Sequence, residues 1–253
     1  MNISIITCTL NSISTLQRTI DSVLEQNHIE KELVFVDGGS TDGTIQVIEK
    51  LECRKKILTG ITGGIAKAMN SGVAAASGDI FCHLHSDDYF LHRQVLTRVA
   101  THFENKNVAW VFGRILSDIE GGLYAETFRV PRYSHARLLR GNFVPHPAMF
   151  VRTSVFKEVG GFRDDLRFAM DYDFFLRLGR HYEPVALREA LAVFRRHAGS
   201  TTQQNRLASF EEDHRVRLQY ASRNPVDRLM HAARYVVRKR RLLAQLRAQP
   251  HAD

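Results

Sequence analysis

Apolar and polar positions alternate in blocks along the first 113 residues. Unbroken apolar runs are typical of strands that are buried on both faces of a parallel sheet. Runs of this kind predict strands at 3–7, 33–36, 56–58, 80–85 and 108–112. Between them, apolar residues at helical spacing predict helices at 14–25, 44–51, 65–76 and 94–103. This regular alternation predicts an α/β fold with a doubly wound, mostly parallel sheet and helices on both faces.

The rhythm changes after Gly113. Segments 114–118 and 123–128 flank a glycine-containing turn at 120–122, which predicts a hairpin. The remaining elements are predicted helices at 134–139, 154–159 and 170–178 and a strand or extended segment at 187–194. We therefore divide the chain into an α/β half (1–113), a second half with a small hairpin and helix subdomain (114–205), and a helical C-terminal extension (206–253).

The composition is that of an ordinary globular protein, with 44% apolar and 25% charged residues in 253. A chain of this length folds without a disulfide or a structural metal. Its cysteines, Cys8, Cys53 and Cys82, stand in apolar surroundings at spacings that fit no metal motif, so we expect them reduced, as in a cytosolic protein. We expect neither a signal peptide nor a membrane span, because no basic leader and no long apolar run is present.

Positive charge is concentrated near the C-terminus. Residues 214–249 hold ten Lys or Arg and one acid, whereas residues 1–213 are neutral overall and the chain carries +8. Such a segment favours an anionic membrane surface or nucleic acid. Beyond Tyr220 its one aromatic residue is Tyr235, which provides no base-stacking platform, so we predict no nucleic acid.

The basic segment also has an apolar side, which is typical of a helix attached to a membrane surface. The apolar residues expected on that side are Leu229, Ala233, Val236, Val237, Leu243 and Leu246. A solvated helix face, or a helix packed on the core or on a second subunit, is the alternative.

Polar residues gather where the predicted strands end, and ligands of open α/β sheets bind at the carboxyl ends of strands. The first strand runs into polar residues at 7–11, the second ends at Asp37 before Gly38 and Gly39, and the fourth ends at 85–88. Glycines permit tight turns and close approach of a ligand. The pattern is neither a P-loop nor a dinucleotide-binding fingerprint, since no Lys-Ser/Thr pair follows and the first turn lacks glycines.

Asp87 and Asp88 are adjacent carboxylates at one of these strand ends. Like charges so close repel each other unless a cation or hydrogen-bond donors compensate. Carboxylate oxygens are preferred ligands of Mg²⁺ and Mn²⁺. The same pair would also serve to cap the helix predicted near Gln94, and the local sequence leaves both interpretations open.

The second half offers further candidates. Asp171 and Asp173 point to different faces if 170–178 is a helix, so one of them would face a cleft as a general base, or both would form a charged first turn. His146, between two prolines, and His197, after the last strand, are each a candidate phosphate or metal ligand or a structural residue.

Together these motifs resemble those of glycosyltransferase family 2, whose members have the GT-A fold. In family order they are SIITCTLN (4–11), VDGGSTDGT (36–44), GGIAKAMNSGVAAASGDI (63–80), HSDD (85–88), HPAMFVRTSVFKEVGGF (146–162), MDYDFFLRL (170–178) and GST (199–201). The subgroup that they most resemble contains bacterial capsule, O-antigen and exopolysaccharide transferases and transferases that glycosylate lipids.

For the donor, the resemblance implies a nucleoside pocket lined by Thr9 and Asp37, with Asp87 approaching the ribose. Asp88 is implied to bind Mn²⁺ or Mg²⁺ on the donor diphosphate, with His197 at the same end. The further residues implied to bind the donor are Thr7, Asn11, Gly39, Lys67 and Asn70.

For the acceptor, the resemblance implies that Asp171 is the catalytic base and that His146 lies on the acceptor side. The implied reaction inverts the anomeric carbon and moves a sugar, favouring a UDP-sugar donor, to a hydroxyl of a glycan or lipid-linked acceptor in cell-surface polysaccharide or glycolipid biosynthesis. Residues 1–113 would bind the nucleotide sugar and 114–205 the acceptor. The matching location is the cytoplasm, with peripheral attachment to the inner face of the cell membrane.

The chain departs from the subgroup pattern at three positions. Thr62 and Lys67 stand where acids are usual, and His85 stands where an asparagine is usual. Lys67 is then either a contact to the diphosphate or to an acidic sugar, or a surface lysine.

A zinc hydrolase is the main alternative. Residues 83–88 nearly match the His-x-His-x-Asp-His signature of the metallo-β-lactamase superfamily. The ligands of such a site would be His83, His85, Asp87, His146, Asp171 and His197. Asp88 at the sixth signature position counts against this alternative, which also leaves the motifs at 7–11 and 36–44 unexplained.

Overall fold

The structure, a computed structural model, describes residues 1–125, 131–196, 205–221 and 224–248. Its strands are β1 (Ile3–Thr9), β2 (Lys31–Asp37), β3 (Lys55–Leu58), β4 (Ile80–His83), β5 (Tyr89–Phe90), β6 (Trp110–Ile119), β7 (Gly122–Ala125), β8 (Met149–Arg152) and β9 (Val185–Arg196). Its helices are α1 (Ile13–Leu24), α2 (Thr44–Glu49), α3 (Ile65–Ala75), α4 (Val95–Phe103), α5 (His135–Leu138), α6 (Thr153–Val159), α7 (Met170–His181), α8 (Arg206–Tyr220) and α9 (Pro225–Ala248).

The strands form one mixed sheet in the order β3-β2-β1-β4-β8-β6-β9-β5, with β7 paired to β6. The first four strands in this order, β3, β2, β1 and β4, are parallel to one another, and β6 is parallel to β9. β8 is antiparallel to both β4 and β6. The predicted α/β fold with a mostly parallel sheet is confirmed.

The sequence analysis missed β8. This short strand stands between β4 and β6, so the strand predicted at 108–112 does not pair with the fourth strand as a simple alternation would suggest. Four residues after a proline-flanked turn are too few to show a period of their own, and they become a strand because two neighbours pair with them. β9 is longer than predicted because it pairs along β6 as far as Arg196.

Each face of the sheet has its own apolar core, because successive strand residues point to opposite faces. Ile6 and Trp110 belong to the core that α3 and α7 cover. Ile5 and Phe150 belong to the opposite core, which α1 and α4 cover. The prediction of helices on both faces is therefore correct.

β6 and β7 form the predicted hairpin. Its two turn residues, Glu120 and Gly121, have φ of 53° and 85°, which is typical of a type I′ turn. Residues 126–128 of the predicted second strand lie outside the described residues.

The C-terminal helices pack against the body of the protein. Val216 of α8 is fully buried in the same core as Phe174 of α7. α9 in turn lies on α8, where the rings of Phe210 and Tyr235 stack with their centroids 5.5 Å apart. Within the described ranges, every helix is too short or too polar to cross a membrane.

Candidate active site

Three strand ends meet at one edge of the sheet because β1 lies between β2 and β4. Thr9 stands opposite Asp37 in the β1–β2 register, and its hydroxyl donates to Oδ2 of Asp37 at 2.8 Å. The Thr7 hydroxyl donates to the carbonyl of Leu84, just beyond β4, also at 2.8 Å. Both threonines are buried. They therefore hold the strand ends together, and they position the neighbouring polar groups that could contact a ligand.

The Asp37 carboxylate organises the turn that follows β2. Its Oδ1 accepts from the backbone N–H groups of Gly39 and Ser40, and its Oδ2 accepts from the hydroxyls of Ser40 and Thr9. Burial acts to raise the pKa of Asp37, but these hydrogen bonds outweigh it and hold the pKa below its usual value. Asp37 is thus a charged carboxylate with all of its acceptor positions in use.

Asn11 and Gly39 form the exposed rim above Asp37. Asn11 has φ of 50°, and its Oδ1 accepts from the backbone N–H of Thr41 at 2.9 Å. Gly39 has φ of 105°, which a glycine adopts without strain. No described atom lies within 4 Å of the position that a Cβ on Gly39 would take. The rim therefore leaves room for a ligand directly over the backbone of Gly39.

Lys67 and Asn70 lie on α3 and differ in what they offer. The Lys67 side chain is exposed and runs along Gly63, with Cδ 3.1 Å from that glycine's would-be Cβ. Asn70 exchanges two hydrogen bonds with the backbone of Phe162, at 2.7 and 2.9 Å. Asn70 is therefore a tie between α3 and the loop before α7, whereas the Lys67 amine faces solvent.

Asp88 is 2% exposed at the end of the fourth parallel strand. Burial and the neighbouring Asp87 raise the pKa of Asp88 well above its usual value. The Arg195 backbone N–H, which donates to Oδ1 of Asp88 at 3.3 Å, lowers the pKa but does not cancel that rise. The Thr19 hydroxyl fixes the Asp88 backbone by donating to its carbonyl at 2.7 Å. The Asp88 carboxylate is thus held in place with its charge poorly compensated by the protein.

This pair of carboxylates suits a hard divalent cation, because a cation between Asp87 and Asp88 would remove the repulsion that raises the Asp88 pKa. Among the described residues, no three or more His, Cys, Asp or Glu side chains converge on a possible ion position. His197, the other predicted ligand, lies in 197–204, outside those residues.

His83, His85 and His146 form a stack of rings behind the two aspartates. The His146 ring lies 5.3 Å from that of His85 and 5.5 Å from that of His83, centroid to centroid. Burial lowers the pKa of all three, that of His83 to about 3. The group is therefore neutral and packs as flat apolar rings beside Phe162.

The zinc-hydrolase alternative is not favoured. His83 points into the core from β4 with 0% exposure, and its neighbours His85 and His146 meet it ring to ring instead of presenting nitrogens to a common point. The described residues bring together no set of metal ligands that includes them. The near match to the signature arose because alternate strand residues share a face, which places two histidines in one aromatic layer.

Asp171 lies in the first turn of α7. Burial raises the pKa of Asp171 to about 6. Hydrogen bonds from the Tyr172 backbone N–H, at 2.6 Å, and from Asn142 act in the opposite direction but are outweighed. Asp173, by contrast, is fully buried and paired with Arg177 at 2.8 Å and with the Tyr220 hydroxyl at 2.6 Å. The structure thus separates the two: Asp173 stabilises the fold, and Asp171 is the carboxylate that titrates near neutral pH.

Sequence reasoning missed the contribution of α8. Oε2 of Glu212 accepts the backbone N–H groups of Arg167, Phe168 and Ala169, the residues that lead into α7. A carboxylate at this position also interacts favourably with the helix dipole. Glu212 therefore holds the start of the helix that presents Asp171.

Asp213, the next residue, faces the candidate base. Burial first, and then the charge of Asp171, raise the pKa of Asp213 to about 7, while Arg217 lowers it. The signal in the sequence was the acidic run at 211–213 immediately before the basic segment. Its meaning was hidden because the sequence does not show which face of α8 lies on α7.

Comparisons with known proteins identify the family of this chain. The family model described as "Glycosyl transferase family 2" matches residues 4–160. The uncharacterized glycosyltransferase Rv1514c of Mycobacterium tuberculosis is 33% identical over 198 residues, which cover 76% of this chain and 74% of that protein. Chondroitin synthase of Pasteurella multocida is 32% identical over 172 residues, which cover 66% of this chain and 18% of the synthase. The chain therefore belongs to glycosyl transferase family 2.

Solved structures share the fold. TarS 1–349 of S. aureus in complex with UDP-GlcNAc has a TM-score of 0.71 at 21% identity, covering 85% of this chain and 65% of that one. The mannosyltransferase PcManGT of Pyrobaculum calidifontis, in complex with GDP-Man and Mn²⁺, has a TM-score of 0.70 at 16% identity, covering 92% and 69%. These likenesses confirm the predicted GT-A fold.

Removing the Glu212 carboxylate should destabilise the protein. We expect Glu212→Ala to lower the free energy of unfolding by about 1–3 kcal/mol, because it leaves buried N–H groups before α7 without their acceptor. Denaturant unfolding measures this change. The matched control is Glu211→Ala, which removes a half-exposed ion pair with Lys239 and should cost less than about 1 kcal/mol. Equal losses for both variants would contradict the role given to Glu212.

Proposed function

We propose that this protein is an inverting glycosyltransferase that moves a sugar from a nucleotide-diphosphate sugar, preferentially a UDP-sugar, to a hydroxyl of a glycan or lipid-linked acceptor. The observation that carries the proposal is the presence of two separately positioned acidic centres. Asp87 and Asp88 lie at the carboxyl edge of the sheet, and Asp171 lies in the first turn of a different element, with its pKa raised to about 6. One centre serves the donor and the other serves the acceptor.

The donor is proposed to lie over the rim formed by Asn11 and Gly39. A UDP-sugar is favoured because the related fold of TarS 1–349 binds UDP-GlcNAc. Since the Asp37 carboxylate is already saturated, it contacts the base only if the Ser40 hydroxyl turns away from it. Lys67 would reach the diphosphate from α3.

Asp88 is proposed to hold Mn²⁺ or Mg²⁺, assisted by Asp87 and by His197. A bound divalent ion supplies Lewis-acid neutralisation of the diphosphate leaving group. The protein's part is to fix Asp88 through Thr19 and Arg195 before the donor arrives. Such preorganisation avoids rearranging a charged group during the reaction.

Asp171 is proposed to accept the proton of the acceptor hydroxyl while that oxygen attacks the anomeric carbon. An attack from the face opposite the leaving diphosphate inverts the configuration, which requires the base and the carboxylates of the donor site to stand apart. A base with a pKa near 6 is largely deprotonated at neutral pH and still basic enough to assist. His146, buried in the ring stack, supports the wall of the acceptor side.

Nucleotide binding tests the donor half of the proposal. We expect UDP with Mn²⁺ to raise the melting temperature more than GDP, dTDP or CDP, since a ligand at about 100 times its Kd adds about 2.7 kcal/mol. Thermal-shift measurements with and without Mn²⁺ provide the comparison, and Asp88→Asn should abolish the metal-dependent part. A complete lack of response to every nucleotide would overturn the proposed function.

Loss of the Asp171 carboxylate tests the chemistry. We expect Asp171→Asn to bind nucleotide normally and to lose about 10²–10⁴-fold in turnover. Its stability should not fall at pH 7–8, because a carboxyl whose pKa is raised to about 6 by folding lowers the stability progressively between about pH 4 and pH 6 and keeps that cost at higher pH. In the unaltered protein, turnover should rise as the pH increases through about 6 and then level off. Transfer rates measured between pH 5 and 8 check this expectation. A rate that does not change through about pH 6, or normal turnover by Asp171→Asn, would contradict the assignment of Asp171 as the base.

We further propose that α9 attaches the enzyme to an anionic membrane surface beside a lipid-linked acceptor, for cell-surface polysaccharide or glycolipid biosynthesis. A relative in Mycobacterium bovis, 32% identical, is a PGL/p-HBAD biosynthesis glycosyltransferase. The exposed apolar residues of α9 are Val226, Leu229, Met230, Val236 and Val237. Leu243 and Leu246, predicted on the same face, are instead half-buried. Arg240, Arg241 and Arg247 are exposed near the end of the helix and would meet acidic headgroups.

Vesicle binding tests this attachment. The triple variant Leu229→Ser, Val236→Ser, Val237→Ser should sediment with phosphatidylglycerol vesicles at least about tenfold less than the unaltered protein, since burial of each side chain contributes about 1.5 kcal/mol or more. Ile29→Ser is the matched control, because Ile29 is 90% exposed and lies far from α9 in the sequence. Unchanged sedimentation of the triple variant would rule out this face.

A further inference from the structure

A buried arginine next to the proposed base has no part in the reaction described above. Arg217 of α8 is 2% exposed, and its guanidinium hydrogen-bonds to the hydroxyl of Tyr172, the residue after Asp171. Its Nε–H finds no acceptor among the described residues. Asp213, one turn earlier on α8, faces it. A buried guanidinium is usually satisfied by an oxyanion that accepts two of its N–H groups at once.

Further cationic and imidazole groups surround Arg217. They are Arg140, His214, His231, Arg234 and Arg238. Arg238 of α9 donates from Nη1 to the carbonyl of Arg140 at 2.8 Å, which joins α9 to the segment after α5. Burial, followed by the charges of Arg217 and Arg234, lowers the pKa of Arg238. Arg217, Arg234 and Arg238 therefore repel one another.

The negative charges that face this arginine cluster are few. Asp213 acts on Arg217, and Asp227 acts on His231. In the described part of the chain, four arginines, at 140, 217, 234 and 238, thus outnumber Asp213, Asp227 and the adjoining Asp171, and Nδ1 of the 8% exposed His231 has no partner there. An added anion with more than one charge would relieve this excess.

The cluster has an accessible end and a buried end. Arg140 and Arg238 are exposed, Arg234 is half-buried, and Arg217 is buried beside Tyr172. The exposed Arg140 and Arg238 therefore mark the solvent side of the cluster. Its buried end adjoins the base, because Arg217 hydrogen-bonds to Tyr172, the residue after Asp171, and Asp213 interacts with both Arg217 and Asp171.

We propose that this arginine cluster binds a phosphoryl group carried by the acceptor, while Asp171 receives the proton of the acceptor hydroxyl. A phosphoryl group offers two charges and several oxygens to the guanidinium groups, whereas a carboxylate offers one charge. The phosphoryl group is a handle for binding and takes no part in bond making. This inference rests on the proposed function, because it takes Asp171 as the place of the acceptor hydroxyl.

Calorimetric titration with short alkyl ligands tests the inference. Octyl phosphate and octyl diphosphate should bind the full-length protein at least about tenfold more tightly than octyl glucoside or nonanoate. Arg238→Gln should weaken the binding of both phosphates by about tenfold, and inorganic phosphate should compete. Arg217→Gln should weaken the binding of both phosphates equally. Because Arg217 is buried, that variant can also lose stability. Arg238 is exposed, so Arg238→Gln tests the site without this complication.

The matched control is Arg188→Gln, an exposed arginine of β9 whose loss changes the net charge equally. It should bind both phosphates within about twofold of the unaltered protein, in keeping with the small effect of an exposed charge. Equal weakening by Arg188→Gln and Arg238→Gln would show a diffuse charge effect and overturn the proposal. The proposal would also be overturned if Arg238→Gln lost binding to phosphatidylglycerol vesicles but still bound octyl phosphate normally, since the cluster would then bind the membrane surface.

Nucleotide binding separates this inference from the proposed function. All three variants should keep the thermal shift with UDP and Mn²⁺, because the cluster lies on α8, α9 and the segment after α5, away from the strand ends. A normal nucleotide shift together with equal binding of octyl phosphate and octyl glucoside would reject the phosphoryl site alone. An absent nucleotide shift in the unaltered protein would reject the proposed function itself.

Discussion

The parallel pairing of β1 with β2 and β4 determines where the polar groups of this protein can act. It brings three carboxyl ends to one edge, and the buried hydroxyls of Thr7 and Thr9 then tie those ends to their neighbours. The turn after β2 closes on the Asp37 carboxylate, and the loop after β4 carries Asp88. A one-residue shift in the β1 register would turn these threonines to the wrong face and release every one of these contacts.

The same side chain has three electrostatic roles in this fold, and its surroundings decide which. Asp37 meets four donors and stays charged. Asp88 is buried beside another acid, and its pKa is raised. Asp171 is buried with two donors and titrates near pH 6. In the proposed reaction, the fold thus places poorly compensated charge where a cation would bind and a basic carboxylate where a proton would be accepted.

The periodicity of the first half was enough to predict its helices, its polar edge and every strand except the two-residue β5, because a doubly wound sheet has buried strands with an unmistakable apolar signature. The sequence did not reveal β8, since a strand this short exists only through its neighbours. Nor did it show that the Asn70 amide binds the Phe162 backbone, or that His83 and His85 pack as rings. Glu212, Asp213 and Arg217 were hidden for another reason: their meaning depends on how one helix docks on another, and a local pattern does not encode that docking.

The cap that Glu212 provides has a consequence for the order in which the enzyme matures. The backbone groups that it binds precede it by 43 to 45 residues, so a growing chain completes β1, β2, β4 and the sequence of α7 well before the carboxylate that steadies α7 exists. A nascent or prematurely ended chain would hold its strand-end groups in place while the helix carrying Asp171 still frayed at its first turn. With Asp171 as the proposed base, such a chain would bind the donor without transferring the sugar, and synthesis of the last helices would be the step that makes turnover possible.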